Sequence, residues 1–181
     1  LFRAAAGNLM FIDMDNFKAV NDTYGHPVGD ALLTSLSSLM GDTIADLPCG
    51  DHLAARLGGD EFAMWIGSCG EAPGALAALT AERLVRAFNI VAAEYGEEVL
   101  PGLSIGIASA TPGEELQSLM ARADHTLYDV KRSGKGTWKM ASENSLPTVE
   151  PAAQSTIGNG DRKSTRLNSS HSQQSRMPSS A

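Results

Sequence analysis

The chain has 181 residues, 43% of them hydrophobic, which is enough for one packed core with appendages. Its formal net charge of −7 and its lack of a broad basic face argue against a surface that binds nucleic acid by neutralising phosphates. Cys49 and Cys69 are too few for a disulfide framework and lack zinc-site spacing, so we expect a reducing, cytoplasmic setting.

The first predicted element is a short buried strand. The apolar run 9–12 ends at Asp13, Met14 and Asp15. Asp13 and Asp15 lie two residues apart on this strand, so their side chains share one face. Met14 presents its backbone carbonyl between them, and hard oxygen atoms therefore converge at the end of the strand.

A helix and a hairpin are predicted next. From Pro27 onward the apolar residues follow helical spacing as far as Met40. Residues 53–56 and 62–66 are strand candidates, and two glycines between them supply the backbone freedom that a hairpin turn needs. This turn would carry Asp60 and Glu61 at its tip.

Four more elements complete the predicted fold. We expect a helix over residues 75–93, a buried strand over 103–108, a helix from about 114 to 132 and a strand over 137–140. Gly106 in the strand permits close backbone approach. Strands and helices mix without strict alternation, which predicts an α+β fold with a sheet covered by helices.

Two carboxylate clusters are the candidate chemical groups. Asp13 with Asp15 forms the first, and Asp60 with Glu61 forms the second. Together they suit Mg²⁺, which prefers carboxylate oxygens and substrate phosphates. Taken pair by pair, ordinary turn and strand-end acids explain them as well.

The full motif is more specific than either pair. Residues 11–30 read FIDMDNFKAVNDTYGHPVGD, and residues 56–62 read RLGGDEF. In residue identity, order and approximate spacing, these runs resemble the GGDEF family of diguanylate cyclases, and the match extends over residues 9–140. The resemblance implies a central mixed, mostly antiparallel sheet covered by helices, similar to the palm of nucleotidyl cyclases and polymerases and built on a ferredoxin-like core.

The reaction implied by this resemblance joins two GTP molecules into cyclic di-GMP and releases two pyrophosphates. Asp13, Asp60 and the Met14 carbonyl would bind Mg²⁺, with Mn²⁺ as an alternative. Asn21 and Asp30 would recognise guanine through an amide and a carboxylate. Each protomer of this family holds one GTP, so catalysis would need a homodimer.

The same resemblance implies the remaining site residues. Asp60, Glu61 and Lys131 would form the catalytic set, with Glu61 in a metal-binding or supporting role. Without the resemblance, Lys131 and Lys135 would be read as an ordinary basic helix end. The residues implied to lie at the nucleotide and its phosphates are Phe17, Lys18, Gly58, Gly59 and Lys135.

One site of the family is expected to be missing. Many relatives bind their product at an Arg-x-x-Asp site shortly before the glycine hairpin. The equivalent positions here lie close to Cys49 and His52, and residues 31–55 contain no Arg or Lys. We therefore predict no product-inhibition site, because the bidentate anchor for a phosphate is absent.

Both ends of the chain carry further expectations. The family's Leu-Thr-x-Leu-x-Asn-Arg segment and the helix after it do not precede Leu9, so we expect a domain over 1–141 that is truncated at its N-terminus. Residues 142–160 are expected to be a disordered linker or tail, and residues 161–181 a non-native tail that resembles translated sequencing adapter. A sensory domain, and any membrane anchor, would belong to the parent protein.

Two other functions stay open. The first is a non-catalytic nucleotide-binding or dimerisation module that regulates a neighbouring domain, which degenerate hairpin acids would favour. The second is an adenylyl cyclase or polymerase palm, which would share the metal aspartates but lack this hairpin run and the guanine-reading pair.

Overall fold

The structure is a computed structural model that describes residues 6–48, 50–68, 74–96 and 98–142. The predicted adapter-like tail, and all of the predicted linker except Ser142, lie outside the described residues. Within the described ranges, none of the helices is both long enough and apolar enough to cross a membrane.

A five-stranded sheet forms the centre of the fold, in the order β2-β3-β1-β4-β5. All neighbouring strands pair antiparallel except β4 and β5, which are parallel. The sheet is therefore mixed and mostly antiparallel, as the resemblance implied. The strands are β1 (Gly7–Asp15), β2 (His52–Gly58), β3 (Glu61–Gly67), β4 (Gly102–Ser109) and β5 (Trp138–Met140).

Helices α2 and α3 cover one face of the sheet, and helix α4 packs on the other face, against β4 and β1. Alternation along β1 sends Met10, Ile12 and Met14 into the larger core. The intervening residues, Asp13 and Asp15 among them, consequently face the α4 side. The described helices are α1 (Phe17–Tyr24), α2 (His26–Ala45), α3 (Ala75–Ala92) and α4 (Leu116–Arg132).

Helix α4 lies unusually close to the sheet at Gly106. A Cβ added there would stand 2.2 Å from the Leu127 backbone nitrogen and 2.4 Å from the Ala123 carbonyl oxygen. Only glycine fits, because backbone atoms on the helix cannot move aside as a flexible side chain could. This contact confirms the close approach predicted from the sequence and fixes the distance from α4 to β4.

Two details differ from the sequence prediction. Helix α1 was not predicted, because eight residues with one buried apolar side chain, Val20, give little periodic signal. The hairpin turn is also shifted by one residue: Gly58 ends β2 and pairs with Glu61, which begins β3. Gly59 and Asp60 therefore form the turn, and Gly59 adopts a φ of 53° that favours glycine.

Candidate active site

The hairpin turn lies beside the carboxyl end of β1. Asp13 is the register partner of Glu61 on β3 and of Ser104 on β4. One residue further along, the Met14 backbone N–H donates to the Asp60 carbonyl oxygen at 3.2 Å. The two carboxylate-bearing segments predicted from the sequence are thus joined by backbone pairing.

Arg56 holds the hairpin turn in shape. Its Nε and Nη2 atoms donate to the Gly59 carbonyl oxygen at 3.0 and 2.7 Å. Its guanidinium also lies 6.0 Å from the ring centroid of Phe62. The side chain of Arg56, the first residue of the RLGGDEF run, thus bonds to the backbone of the turn. This contact was not predicted from the sequence.

Lys131 reaches the same place from helix α4. It lies in the last turn of that helix, and its Nζ is 2.7 Å from Asp13 Oδ2. The Asp13 side chain is 10% exposed and that of Lys131 is 36% exposed. The structure thus brings together Asp13, the hairpin and Lys131, three features that are distant in sequence.

The Asp13 carboxyl is largely buried and has charged groups around it. Burial raises the pKa of the Asp13 carboxyl above its ordinary value, and the hydrogen bond and charge of Lys131 counteract this only in part. The negative charges of Asp60 and Asp15 raise the pKa further. Asp13 is therefore a partly desolvated carboxyl whose charge Lys131 stabilises, with two further carboxylates nearby.

The donor atoms fit Mg²⁺ but do not form a complete protein cage. Among residues that the structure describes, no three His, Cys, Asp or Glu side chains are grouped to hold a metal ion. Mg²⁺ commonly binds one or two carboxylates and completes its shell with waters and substrate phosphates. Carboxylates from Asp13 and Asp60, near the Met14 backbone, match that requirement, since all are hard oxygen donors.

The predicted guanine-binding residues lie on two helices that contact each other. Asn21 on α1 is placed against Gly29 of α2, where an added Cβ would stand 2.1 Å from the Asn21 Oδ1 atom and 3.2 Å from the Phe17 ring. The next residue, Asp30, is exposed and lines an open cavity of about 230 Å³ beside Arg56. Gly29 thus leaves room for the Asn21 side chain near the predicted guanine-binding carboxylate.

The structure gives Lys18 a partner within its own helix. Its Nζ lies 2.7 Å from Asp22 Oδ2, one turn along α1, and its side chain is 89% exposed. The hydrogen bond from Lys18 to Asp22 raises the pKa of the ammonium group. The implied phosphate contact of Lys18 stays a prediction.

Lys135 lies in the loop after α4. Its backbone is left-handed, with a φ of 63°, and its Nζ is 3.2 Å from Asn16 Oδ1. Asn16 directly precedes α1, so Lys135 lies beside the start of the helix that carries Phe17 and Lys18. The Asn16 contact gave no signal in the sequence, because it joins residues 119 positions apart.

Comparison with known proteins agrees with this geometry. Residues 3–137 match the family model described as "Diguanylate cyclase, GGDEF domain". The chain belongs to this family. Its mixed five-stranded sheet and helices are those of the palm-like nucleotidyl cyclase fold.

The GGDEF domain is similar to several curated proteins. It is 37% identical over 134 residues to diguanylate cyclase DgcS of Shewanella oneidensis, covering 74% of this chain and 42% of that protein. It is 37% identical over 139 residues to a signaling protein of Caulobacter vibrioides, covering 76% of this chain and 17% of that protein. The chain thus spans less than half the length of either relative.

Solved structures show the same domain. The GGDEF domain of DgcB from Caulobacter crescentus, in complex with c-di-GMP, has a TM-score of 0.64 and 32% identity, covering 75% of this chain and 77% of that one. The active GGEEF domain of a diguanylate cyclase from Vibrio cholerae has a TM-score of 0.66 and 28% identity, covering 77% and 85%.

Proposed function

We propose that this GGDEF domain, as part of its full-length protein, condenses two GTP molecules into cyclic di-GMP and two pyrophosphates in a Mg²⁺-dependent reaction. The convergence of Asp13, the Asp60 turn and Lys131 at the carboxyl end of β1 is the observation that carries this proposal. Carboxylates that can hold a metal ion, together with an ammonium group, can stabilise the charge that develops on the phosphates during nucleotidyl transfer.

Asp13 and Asp60 would hold Mg²⁺ through their carboxylates, with the Met14 carbonyl as a further donor and Mn²⁺ as an alternative ion. When bound, the metal would polarise the α-phosphate and lower the pKa of the attacking 3′-hydroxyl. Glu61, exposed at the start of β3, would support the metal or its waters. The proton of the 3′-hydroxyl would then pass to water, so no protein base is required.

Lys131 would stabilise the charge that develops on the departing pyrophosphate. An ammonium group carries three N–H donors, and the bond to Asp13 uses one of them. The backbone at Phe17 begins α1, where the first amides have no helical acceptor and favour an anion. Lys18 and Lys135 would add positive charge, while Gly58 and Gly59 would let the nucleotide approach the backbone.

Asn21 and Asp30 would select guanine. A carboxylate accepts from the N–H groups of the base, and an amide can both donate and accept at its edge. The contact of Asn21 with Gly29 supports this assignment, since it places the amide beside the segment that carries Asp30. An adenine edge offers a different donor pattern, so ATP should be a poor substrate.

Two copies of the domain are needed for the reaction that we propose. Each holds one GTP, and each 3′-oxygen attacks the α-phosphate of the other nucleotide, forming a phosphodiester bond as pyrophosphate leaves. We infer that a cytoplasmic homodimer brings the two sites face to face, under the control of a sensory domain elsewhere in the parent protein. That parent could also be anchored in a membrane.

We also infer that the product does not inhibit this protein through an Arg-x-x-Asp site. Cys49, at the expected position, lies outside the described residues. His52 is held by the backbone, because its Nε2 lies 3.0 Å from the Pro48 carbonyl oxygen and its Nδ1 accepts from the Gly67 N–H at 3.2 Å. No Arg or Lys occurs from residue 31 to residue 55 to bind a phosphate.

The test is to incubate the full-length protein with GTP and Mg²⁺ and to identify the products by chromatography. We expect cyclic di-GMP with two pyrophosphates per molecule, no product from ATP, and loss of activity when the metal is chelated. A protein that dimerises and binds GTP but forms no product would contradict the proposal. That result would favour the alternative, a non-catalytic nucleotide-binding or dimerisation module.

A further inference from the structure

The loop that carries Lys135 has an unusual backbone. Gly134, Lys135 and Gly136, which we call the lysine loop, have φ values of 126°, 63° and 65°. A left-handed conformation is unfavourable for a non-glycine residue such as Lys135. The Lys135 backbone N–H donates to the Val130 carbonyl oxygen at the end of α4, at 3.2 Å, and further contacts from elsewhere in the fold hold the rest of the loop.

Asp15 supplies the first of these contacts. Its side chain is buried, at 4% exposed, and its Oδ2 accepts a hydrogen bond from the Gly136 backbone N–H at 2.9 Å. The Ser104 hydroxyl on β4 lies 2.8 and 2.9 Å from the two carboxylate oxygens. Asp15 therefore ties the lysine loop to β1 and β4 through neutral donors, in contrast to Asp13, which pairs with an ammonium group.

Asn16 supplies the second contact. Its Oδ1 is 3.2 Å from Lys135 Nζ, and its Nδ2 donates to the Leu100 carbonyl oxygen at 3.4 Å. Asn16 itself has a φ of 60°, a conformation that asparagine tolerates better than most residues. The amide is thus anchored on one side and presents its oxygen to the lysine on the other.

We propose that Asp15 and Asn16 are positioning residues for Lys135: Asp15 fixes the backbone of the lysine loop, and Asn16 orients the ammonium group toward the triphosphate of GTP. This inference rests on the proposed function, in which Lys135 contacts the phosphates. A free lysine side chain loses considerable rotamer entropy when it binds a ligand. A lysine that is already oriented loses less, so the benefit appears in nucleotide binding.

Asn16→Gly in the full-length protein tests the role of Asn16, because glycine accepts a φ of 60° and removes only the side-chain bonds. We expect the KM for GTP to rise about tenfold and kcat to stay within about threefold. Asn16→Asp keeps the acceptor for Lys135 while losing the donor to Leu100, so its KM should return most of the way to that of the wild type.

A double-mutant cycle separates positioning from a general structural effect. If Asn16 acts through Lys135, Asn16→Gly should not raise the KM further in a Lys135→Ala background. Independent effects that multiply in the double variant would overturn the proposal. A fall in KM for Asn16→Gly would also overturn it, since that result would mean that Asn16 holds the ammonium group away from the substrate.

Hydrogen exchange tests the role of Asp15 and does not require an activity measurement. In Asp15→Ala, which removes the acceptor for the Gly136 N–H, the amides of residues 133–137 should exchange at least about tenfold faster, while peptides from α2 keep their wild-type rates. Unchanged exchange in the loop, or an equal increase throughout the protein, would overturn the proposal. A wild-type protein that forms no cyclic di-GMP would instead count against the proposed function, and this measurement would still decide whether Asp15 holds the loop.

Discussion

Arg122 and Glu114 form an ion pair in which both side chains are only 9% exposed. The guanidinium donates to both carboxylate oxygens, from Nε at 2.8 Å and from Nη2 at 2.6 Å, and Nη2 also donates to the Ser109 carbonyl. The Thr111 backbone N–H, the Thr111 hydroxyl and the Ser118 hydroxyl also donate to Glu114. Every acceptor position of a buried carboxylate is thereby used, which is the condition under which such a pair is tolerated.

Stability should depend on the protonation of Glu114. Burial alone would raise the pKa of this carboxyl, but the hydrogen bonds from Arg122, Thr111 and Ser118 lower it from 4.5 to about 2. Because the pKa of the folded protein is the lower one, the stabilisation is complete above about pH 4.5 and is lost as the pH falls toward 2.

Glu114→Gln should therefore reduce the free energy of unfolding by about 3 kcal/mol at neutral pH, since it leaves Arg122 buried without a counter-charge. In urea titrations, the difference from the wild type should shrink between pH 4.5 and about pH 2. The control is Glu82→Gln, which removes an exposed 3.7 Å pair with Arg86 and should change stability by less than about 0.5 kcal/mol. A difference for Glu114→Gln that does not vary with pH would contradict this assignment.

Helix α4 links the core to the active site. It packs on β4 through the backbone contact at Gly106, and its last turn carries Lys131 to Asp13. The distance between helix and sheet consequently determines where the Lys131 ammonium group lies. A change at Gly106 should affect both stability and activity, although Gly106 itself has no proposed contact with the nucleotide.

Gly106→Ala should destabilise the domain by about 3 kcal/mol, because the new Cβ meets the backbone of α4. The rate of product formation should also fall as Lys131 is displaced. Gly41→Ala is the matched control: no atom lies within 4 Å of its added Cβ, and alanine in the interior of α2 should stabilise by about 1 kcal/mol. Chemical unfolding of both variants measures the difference, and equal effects would contradict the contact.

The periodic elements could be predicted from the sequence, since their boundaries follow apolar spacing and glycine positions. The predicted helix 75–93 is observed as Ala75–Ala92, and the strand 103–108 as Gly102–Ser109. Helix α1 was not predicted because it is short and buries little apolar surface. The predicted hairpin turn was off by one residue because a pair of glycines does not by itself fix the register of the strands.

Only the motif residues of the candidate site could be predicted from the sequence. Asp13 and the Asp60 turn belong to runs that the family shares, and the structure brings both to one place. The bonds of Asp15 to Ser104 and Gly136 had no sequence signal, because they join residues 89 and 121 positions apart. Such contacts follow from the tertiary fold, which local patterns do not encode.

At the scale of the whole molecule, the site is assembled from the end of β1, the β2–β3 turn and the end of α4. The sheet order places β1 between β3 and β4. Asp13 on β1 therefore has the β2–β3 hairpin on one side and β4, against which α4 packs, on the other. The core positions all three segments, and the proposed reaction additionally needs a second copy of the domain. The central claim is that the chemistry occurs at this cluster.

The most direct test compares Asp60→Ala with Asp42→Ala in the full-length protein, measuring Mg²⁺-dependent formation of cyclic di-GMP from GTP. Asp60→Ala should lower the rate by at least about a thousandfold, because a metal carboxylate contributes several kcal/mol of transition-state stabilisation. Asp42, an exposed carboxylate on α2, should be replaceable without loss. Product formation by folded, dimeric Asp60→Ala at the wild-type rate would contradict the account.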